Sequence, residues 1–540
     1  MSLLGTFEIG TRSLRAFQAA MQTVSHNLAN VNTPGYSRQR VTFETDIPDQ
    51  TGAFLLGRGI NLSNVERLRD RFFEDQWRRE SSVKTSADAT AETYNQIETI
   101  LQEPGDTGLN SQMDKFHTAW LEAANSPNDA GLRATLRVQG KTLVERFNAT
   151  RHGLETLRTD TDEKIRIAVV QVNSYAGQIN ELNRSIKQSM LQGFSPNDSM
   201  DKRDYLIGEL AKLVPVNTVE RQDGGVAVYV GGVPLVEETG TSTVVADFQS
   251  SGTGMVALSW ENYDEPVDFD GGKIGTLLSN RDTLIPDVIN KLDALAQALV
   301  DGVNALHRTG MGTDGTIEIK GSVPWVGALE ANATAELNGV SIAFSAGDNL
   351  ATVVAKLNAA EAQTGVHARV VDQRVSLVPS ATNPQTIRVS DDPDGVFQTL
   401  GVVNDFFQGE PGNFQLSDAV ASDLRHIALS ATGAPGDNAI ARNIAALWDQ
   451  PMMENSQKTF NVFHQEFLTD LGSRSQAATS NADNQGFLVT QIDNLRESVS
   501  GISTDEELSN MIRYQRSYDA AARTIRVADE MMQTLLNLVQ

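Results

Sequence analysis

The stretch NLANVNTPGYSRQ, Asn27–Gln39, decides how the chain is organised. Asparagines stand at Asn27, Asn30 and Asn32, and Thr33, Pro34, Gly35 and Tyr36 complete the motif. Asn is a poor helix former and Pro-Gly halts a helix. Yet the preceding residues carry a helical pattern. Phe7, Leu14, Phe17, Met21, Val24 and Leu28 recur first at steps of seven, then at alternating steps of three and four. That spacing predicts one seam of a coiled-coil-like helix. The seam would next fall on Val31, but Pro34 disfavours helical geometry at Thr33. Asn30 or Asn32 is expected to take a left-handed C-terminal cap, and Gly35 the positive φ of a type II turn. The amides therefore predict a helix stop and a turn, with Tyr36, Arg38 and Gln39 beyond it placed to meet a neighbour.

The other end has the same character. Thr504 and Glu507 are spaced as a capping box, with Asp505 and Glu506 in the favourable first turn. Leu508, Met511, Gln515, Tyr518, Ala522 and Ile525 mark a seam, which resumes one step out of phase at Ala528, Met532, Leu535 and Val539. A polar Gln515 on a seam is the kind of residue that fixes register. Arg513, Arg516, Arg523 and Arg526 form a basic stripe beside it, a solvated face or a partner for acidic neighbours. Isolated helices are marginal in water. The two termini therefore need each other or neighbouring copies.

A chain of 540 residues exceeds one core, and about three or four domains are expected. The formal net charge of −25 repels DNA and anionic membranes, so neither nucleic acid nor membrane insertion is expected. No cysteine occurs, which excludes disulfides, thiolate metal sites and cysteine nucleophiles. The N-terminus lacks a basic region followed by an apolar core, and no long apolar run occurs. Neither a Sec-type signal nor a transmembrane helix is expected.

Helical patterning runs from Glu66 to Gln102, and a shorter helix carries Met113, Phe116 and Trp120. No proline occurs between Pro127 and Pro196, and Ile165, Val169, Val172, Ala176, Ile179, Ile186 and Met190 give a long stripe, which predicts a bundle of long helices. The segment GGVAVYVGGVPLVEE, Gly224–Glu238, predicts a β-hairpin. Helix returns from Lys273 to His307, short strands follow to Ala434, and the segment after Pro451 is helical with a break near SVSGIS. The expected fold class is multidomain α+β, with paired terminal coiled-coil-like helices, a long-helix bundle domain and inserted β-rich outer domains. The expected boundaries are 1–60 and 500–540 for the terminal helices and turn, and 61–215, 273–310 and 440–499 for the bundle. A small β insertion would span 216–272 and a β-rich outer domain 311–439.

The residues offer no catalytic, cofactor-binding or metal site. No HExxH or GxSxG occurs, and His464 and Glu466 sit alone on an amphipathic helix. QGKT at Gln139–Thr142 lacks the upstream glycine of a phosphate loop. Gly310, Gly312 and Gly315 fit GxGxxG, but the helix precedes and the strand follows, the reverse of what phosphate binding requires. DDPDG, Asp391–Gly395, lacks the alternating ligands and closing Glu of a calcium loop. A non-enzymatic role is expected.

The segment SHNLANVNTPGYSRQ resembles the signature of bacterial flagellar rod, hook and hook-associated proteins, Asn-Leu-Ala-Asn-x-x-Thr-x-Gly-Tyr. The C-terminal run Gly501–Val539 and the internal runs Asn197–Val214 and Gly271–Gly310 are similar to the hook-associated protein 1 family, the first hook–filament junction proteins. Leu337–Val371, within about 337–380, resembles the small β-α-β insert of flagellins and hook-associated proteins. The resemblance implies a structural component of the flagellum, secreted through the export channel and polymerised in a ring at the hook–filament junction. The terminal helices would line the inner tube. It also implies as partners further copies of the chain, the hook protein, the second junction protein, the export chaperone and the export apparatus. The alternatives are another axial protein, such as the second junction protein or a filament-like subunit, and an extracellular adhesin or enzyme on an axial scaffold.

Overall fold

The computed structural model describes residues 3–46, 49–51, 54–248, 254–261, 263–267, 269–313, 318–321 and 324–538. Helix α1 (Leu3–Ala29) leads into strands β1 (Gln39–Thr45), β2 (Asp49–Thr51), β3 (Phe54–Leu56) and β4 (Ile60–Arg67). Four helices follow: α2 (Arg71–Leu101), α3 (Leu109–Asn125), α4 (Ala130–Leu191) and α5 (Asn197–Leu213). Then come β5 (Asn217–Glu220), β6 (Val226–Val230), β7 (Val233–Glu237), β8 (Gly240–Thr241), β9 (Val244–Asp247), β10 (Ala257–Trp260) and β11 (Tyr263–Pro266). Helices α6 (Gly272–Ser279) and α7 (Ile285–His307) are joined by a π turn, where Pro286, lacking an N–H, interrupts the regular ladder.

The next stretch holds β12 (Ile319–Lys320), β13 (Ala333–Leu337), β14 (Val340–Phe344), α8 (Leu350–Ala359), α9 (Glu361–Thr364), β15 (Val366–Val371), β16 (Arg374–Pro379), β17 (Val389–Asp391), α10 (Val396–Thr399), β18 (Phe407–Gln408), β19 (Gln415–Leu416) and α11 (Asp418–Ser422). The chain ends with α12 (Ala439–Ala446), α13 (Phe460–Ser500) and α14 (Thr504–Leu538). The proline-free middle, where a bundle was expected, is one helix of 62 residues, α4.

Two compact units emerge: residues 1–92, 160–280 and 477–540, and residues 93–159 and 281–476. In the first, α1 and α14 pair along their lengths, and β1 and β4 form an antiparallel ribbon from Gln39↔Arg67 to Thr45↔Ile60 with a bulge between Thr42 and Phe43. Its core joins Ile165, Val169, Val172, Ala176 and Ile179 of α4 to Ile207 and Leu210 of α5. The sheet β5-β6-β7-β8 adds Val228, Leu235 and Val236. In the second unit, Phe116, Trp120, Phe406, Phe407 and Phe460 are fully buried, and a separate apolar cluster holds the β-α-β insert around Leu337, Val353, Leu357 and Leu377.

One side-chain device recurs. A helical asparagine donates its amide N–H to the carbonyl of a residue and accepts that same residue's N–H, imitating one rung of a β-ladder. Asn27 does this to Gln39 (2.9 and 3.0 Å), Asn183 to Val226 (2.8 and 3.0 Å) and Asn173 to Val244 (2.8 and 3.0 Å). Asn304 does it to Phe407 (2.9 and 3.0 Å), Asn148 to Phe414 (2.7 and 3.1 Å) and Asn358 to Ala368 (2.8 and 2.6 Å). Gln39, Val226, Val244 and Phe407 are each the first residue of a strand, where the ladder leaves backbone groups open. Only an uncharged amide offers donor and acceptor side by side.

His307 shows a related economy. Its Nδ1 donates to the Asn404 carbonyl at 2.6 Å while Nε2 accepts the Ala428 N–H at 2.9 Å, which fixes the neutral tautomer. Burial pushes its pKa down to about 4.

Replacing Asn358 by Asp removes the donor and sets a carboxylate against the Ala368 carbonyl. A loss of about 1–3 kcal/mol is expected, read as faster amide exchange at Ala368 and a lower unfolding midpoint; unchanged exchange would mean the clamp contributes nothing. The unfolded state takes up a proton at His307 near pH 6.5, whereas the folded state does so only near 4. Its contribution is therefore complete above pH 6.5 and lost as the pH falls towards 4, about 3 kcal/mol in all. His307→Gln should lose less stability than the parent between pH 7 and 4.5 in denaturant titrations, and equal losses would refute the assignment.

Candidate functional site

The signature turn is built by Asn27, which is 1% exposed. Besides its clamp on Gln39, its amide N–H reaches Glu507 Oε2 at 3.0 Å, and its Oδ1 accepts the Tyr36 hydroxyl at 2.9 Å. Tyr36 also contacts His26 Nδ1 at 3.0 Å. Burial, then the charges of Asp198, Asp201 and Glu507, hold the Tyr36 phenol well above its usual range. Thr33 accepts the Tyr36 N–H at 3.2 Å across Pro34 and Gly35, and Gly35 has φ +77°, as a type II turn requires. A Cβ at Gly35 would lie 2.7 Å from Tyr205 Cβ, so the turn needs glycine for space as well as for angle.

Two expectations are corrected here. Neither Asn30 nor Asn32 is left-handed. The helix instead ends through Asn30, whose N–H and side-chain amide both return to the His26 carbonyl (3.1 and 3.0 Å) and whose Oδ1 accepts from Thr33 at 3.1 Å. The cap of α14 is Ser503, one residue before the expected Thr504: its carbonyl accepts the Glu507 N–H at 2.9 Å and its hydroxyl meets the Glu506 N–H at 3.4 Å. That shift frees Glu507 to turn inward. Its side chain is 2% exposed and takes Arg38 Nε at 2.8 Å, while Arg38 also reaches Glu506 at 2.8 Å.

Helix α5 provides the platform beneath the turn. Asp201 accepts the Ser37 N–H at 3.0 Å and Arg67 at 3.0 Å, and Gln39 donates to Asp198 at 2.8 Å. Asp204 binds Arg67 at 2.9 Å and also meets Arg69, and Arg69 reaches Glu74 at 2.7 Å. Burial pushes the Asp201 carboxyl up. Burial acts the same way on Asp204, but Arg69, Arg203 and Arg67 together outweigh it and hold that carboxyl low. A groove beside the turn is lined by Pro34, Gly35, Trp77, Tyr205 and Arg496, with the Arg496 guanidinium 4.6 Å from the Trp77 ring centre.

The seam residues divide. On α1, Val24 is buried, Leu14, Phe17, Met21 and Leu28 are half-buried, and Phe7 is exposed. On α14, Met511, Tyr518, Ala522, Ile525 and Met532 are half-buried, and Leu508, Gln515 and Leu535 are exposed; Val539 lies outside the described residues. Ala528, named on the C-terminal seam, is buried; sequence reasoning missed the other small residues that fill the contact, since Gly10, Ala20 and Ala521 are also buried and a Cβ at Gly10 would come within 2.5 Å of Ile525 Cγ1. Phe17 stacks towards Phe43 (5.9 Å between ring centres) and Phe43 towards Tyr514 (6.1 Å).

Elsewhere, QGKT lies inside α4. Asp392 of DDPDG caps α10 through the Val396 and Gln398 N–H groups (2.8 and 3.0 Å). Gly315 lies outside the described residues. His464 is buried with Nε2 3.6 Å from Glu103. No group of three His, Asp or Glu among the described residues is placed to hold a metal ion.

The turn and both terminal helices also carry sequence likeness to known proteins. The model described as flagella basal body rod protein matches residues 7–36, and that described as flagellar basal body rod FlgEFG protein C-terminal matches 496–538. The flagellar hook-associated protein FlgK helical domain matches 94–320, and the flagellin hook IN motif matches 329–383. Over nearly its whole length the chain is similar to proteins named flagellar hook-associated protein 1. Flagellar hook-associated protein 1 of Bacillus subtilis (strain 168) is 27% identical over 98% of this chain and 97% of its own length. The protein of that name from Escherichia coli K12 is 28% identical over 97% and 98%. The flagellar hook junction protein FlgK from Burkholderia pseudomallei shares the fold at TM-score 0.51 and 16% identity, covering 79% of this chain and all of that one. The turn from Thr33 to Tyr36 thus falls within the segment that matches the rod-protein model, and its platform α5 within the segment that matches the helical-domain model.

Asn27→Asp should raise amide exchange at Gln39 and in the first turn of α14, although Glu507 lies 480 residues away in sequence. Exchange at α14 that matches the parent would show that the clasp does not couple the two ends. Gly35→Ala, strained in φ and crowded by Tyr205, should lower stability by about 1–3 kcal/mol in denaturant unfolding.

Proposed function

We propose that this chain is a structural subunit of the bacterial flagellum, exported and assembled at the junction between hook and filament. The observation that carries the proposal is the Asn27–Glu507–Arg38 clasp, which joins the N-terminal signature turn to the start of the C-terminal helix. A protein whose end helices must enter a shared assembly needs them held together at a defined register. The mixed burial of the seam residues supports a role beyond the α1–α14 pair, because Phe7, Leu508 and Leu535 are large apolar side chains left in water in the single chain. These residues, with the half-buried seam positions, form the surface on which further copies pack. The partners are those copies, the hook protein and the second junction protein, with the export chaperone and export apparatus before assembly. The domains follow the same logic, with 1–60 and 500–540 in the inner tube, the helical segments around it, and 216–272 and 311–439 facing outward. The role is structural, with no chemical step assigned to any residue.

Deleting the gene should leave cells that build hooks but shed filament subunits into the medium; filaments of normal length and retention on such cells would overturn the proposal. Phe17→Asp places a carboxylate beside the Phe43 ring, which in turn meets Tyr514, and Ile525→Asp sets one against Gly10. Both variants should be secreted with unchanged circular dichroism of the folded middle yet fail to retain filaments, because an unpaired buried charge costs about 3–5 kcal/mol. Normal filaments in both would reject the seam.

A further inference from the structure

In the second unit, residues 423–429 run as a strap over His307 and Arg133. Ile427, Ala428 and Leu429 belong to no helix or strand, yet all three are fully buried. Buried backbone groups need partners, and here side chains of two helices supply them. Ala428 donates its N–H to His307 Nε2 of α7 at 2.9 Å, and the Ile427 carbonyl accepts from Arg133 of α4 at 2.7 Å. The Leu429 carbonyl accepts the Ala441 N–H at 3.2 Å, and Ser430 anchors the far end through paired bonds with Met311 (2.7 and 3.3 Å). The other ring nitrogen of His307 serves a different segment, donating to the Asn404 carbonyl at 2.6 Å.

Acid acts differently on the two nitrogens. A second proton leaves Nδ1–H donating to Asn404, but it makes Nε2 a donor that faces the Ala428 N–H. It also creates a fully buried cation beside Arg133, itself buried and bonded to the carbonyls of Pro127 and Ile427 at 2.9 and 2.7 Å. An unpaired buried charge is costly. The charges that act on His307 are those of His426 and Arg133, and both oppose a further proton. The carboxylates on the adjoining segments are engaged elsewhere: Asp405 with Arg308, which Asp301 and Asp392 also face, and Asp423 with Arg425 at 2.8 Å. We infer that residues 423–429 form a proton-operated strap, which protonation of His307 releases while the Asn404 segment stays held. Release uncovers Ile427 and Leu429, apolar surface that the closed chain hides. Burial keeps the His307 pKa near 4, so the strap is closed at neutral pH. The device lies within one unit and does not depend on the assembly proposed above.

The test follows amide hydrogen exchange in the full chain from pH 7 to pH 4, with protection expressed relative to the unfolded amide at each pH. An ordinary histidine takes up its proton near pH 6.5. Between there and pH 4 one proton is linked to opening, so protection at Ala428 should fall about tenfold per pH unit. Protection at Phe407, whose N–H is held by Asn304 at 3.0 Å, should fall far less. His307→Gln, whose amide donates and accepts as the neutral imidazole does, should keep Ala428 protection level over the same range. Loss of protection at Ala428 and Phe407 together would mean that acid unfolds the unit as a whole, and the strap reading fails. It fails equally if Ala428 stays protected at pH 4. Both outcomes are read in the unmodified chain, so they stand even where the variant does not fold.

Discussion

A helical asparagine that completes one rung of a β-ladder is the interaction on which this architecture depends. The chain alternates very long helices with short strands, and a short strand against a helix has backbone groups that no ladder satisfies. Water cannot serve them where helix and strand are packed together, and a charged side chain can only donate or only accept. The carboxamide does both, within one side chain and at a fixed angle. It therefore fixes three things together: which helical turn meets the strand, which strand residue it meets, and how far the strand continues. Asn173 and Asn183 stand ten residues apart on α4, and each receives the start of a different strand, Val244 and Val226. One rigid helix thus becomes the ruler against which separate strands are placed.

Asn27 extends the device into the joint. Its clamp on Gln39 would be enough to launch β1, but the same amide also meets Glu507, and Glu507 holds Arg38. The two ends of the chain are thereby registered by hydrogen bonds with direction, while the helix contact itself is made of small residues such as Gly10, Ala20, Ala521 and Ala528. Small side chains permit close approach but specify register weakly, because neighbouring alanine rungs are nearly equivalent. The polar clasp supplies the discrimination that the smooth seam lacks, as buried polar groups do in coiled coils.

Much of this was legible in the sequence. The helix stop at the asparagine cluster, the positive φ of Gly35, the break before Ser503 and the helical end segments follow from local chemistry that acts over a few residues. Their partners were not legible. Nothing near Asn27 announces Gln39 twelve residues on, still less Glu507, and Asp201 meets Ser37 from a helix far along the chain. The cap of α14 was misplaced by one residue because Ser503 and Thr504 are both good caps, and the choice is made by the inward pull of Arg38 and Asn27 on Glu507. The seam was traced mostly through large apolar residues, which carry the visible periodicity; Ala522 and Ala528 were on it, but Gly10, Ala20 and Ala521, which also fill the close contact, were not, because a hydrophobic pattern underweights small side chains.

Charge is distributed in a way that follows from the same constraint. Where the chain must hold itself in one arrangement, it buries opposite charges together: Arg67, Arg69 and Arg203 converge on Asp201, Asp204 and Glu74 beneath the turn. Burying such groups is expensive unless each charge is matched, so this network tolerates few alternative packings and makes the platform specific. Where a surface must remain open to other molecules, matched pairs cannot be prearranged, because half of each pair would belong to the partner. The four arginines of the α14 stripe, Arg513, Arg516, Arg523 and Arg526, are exposed, in contrast to the three that converge beneath the turn.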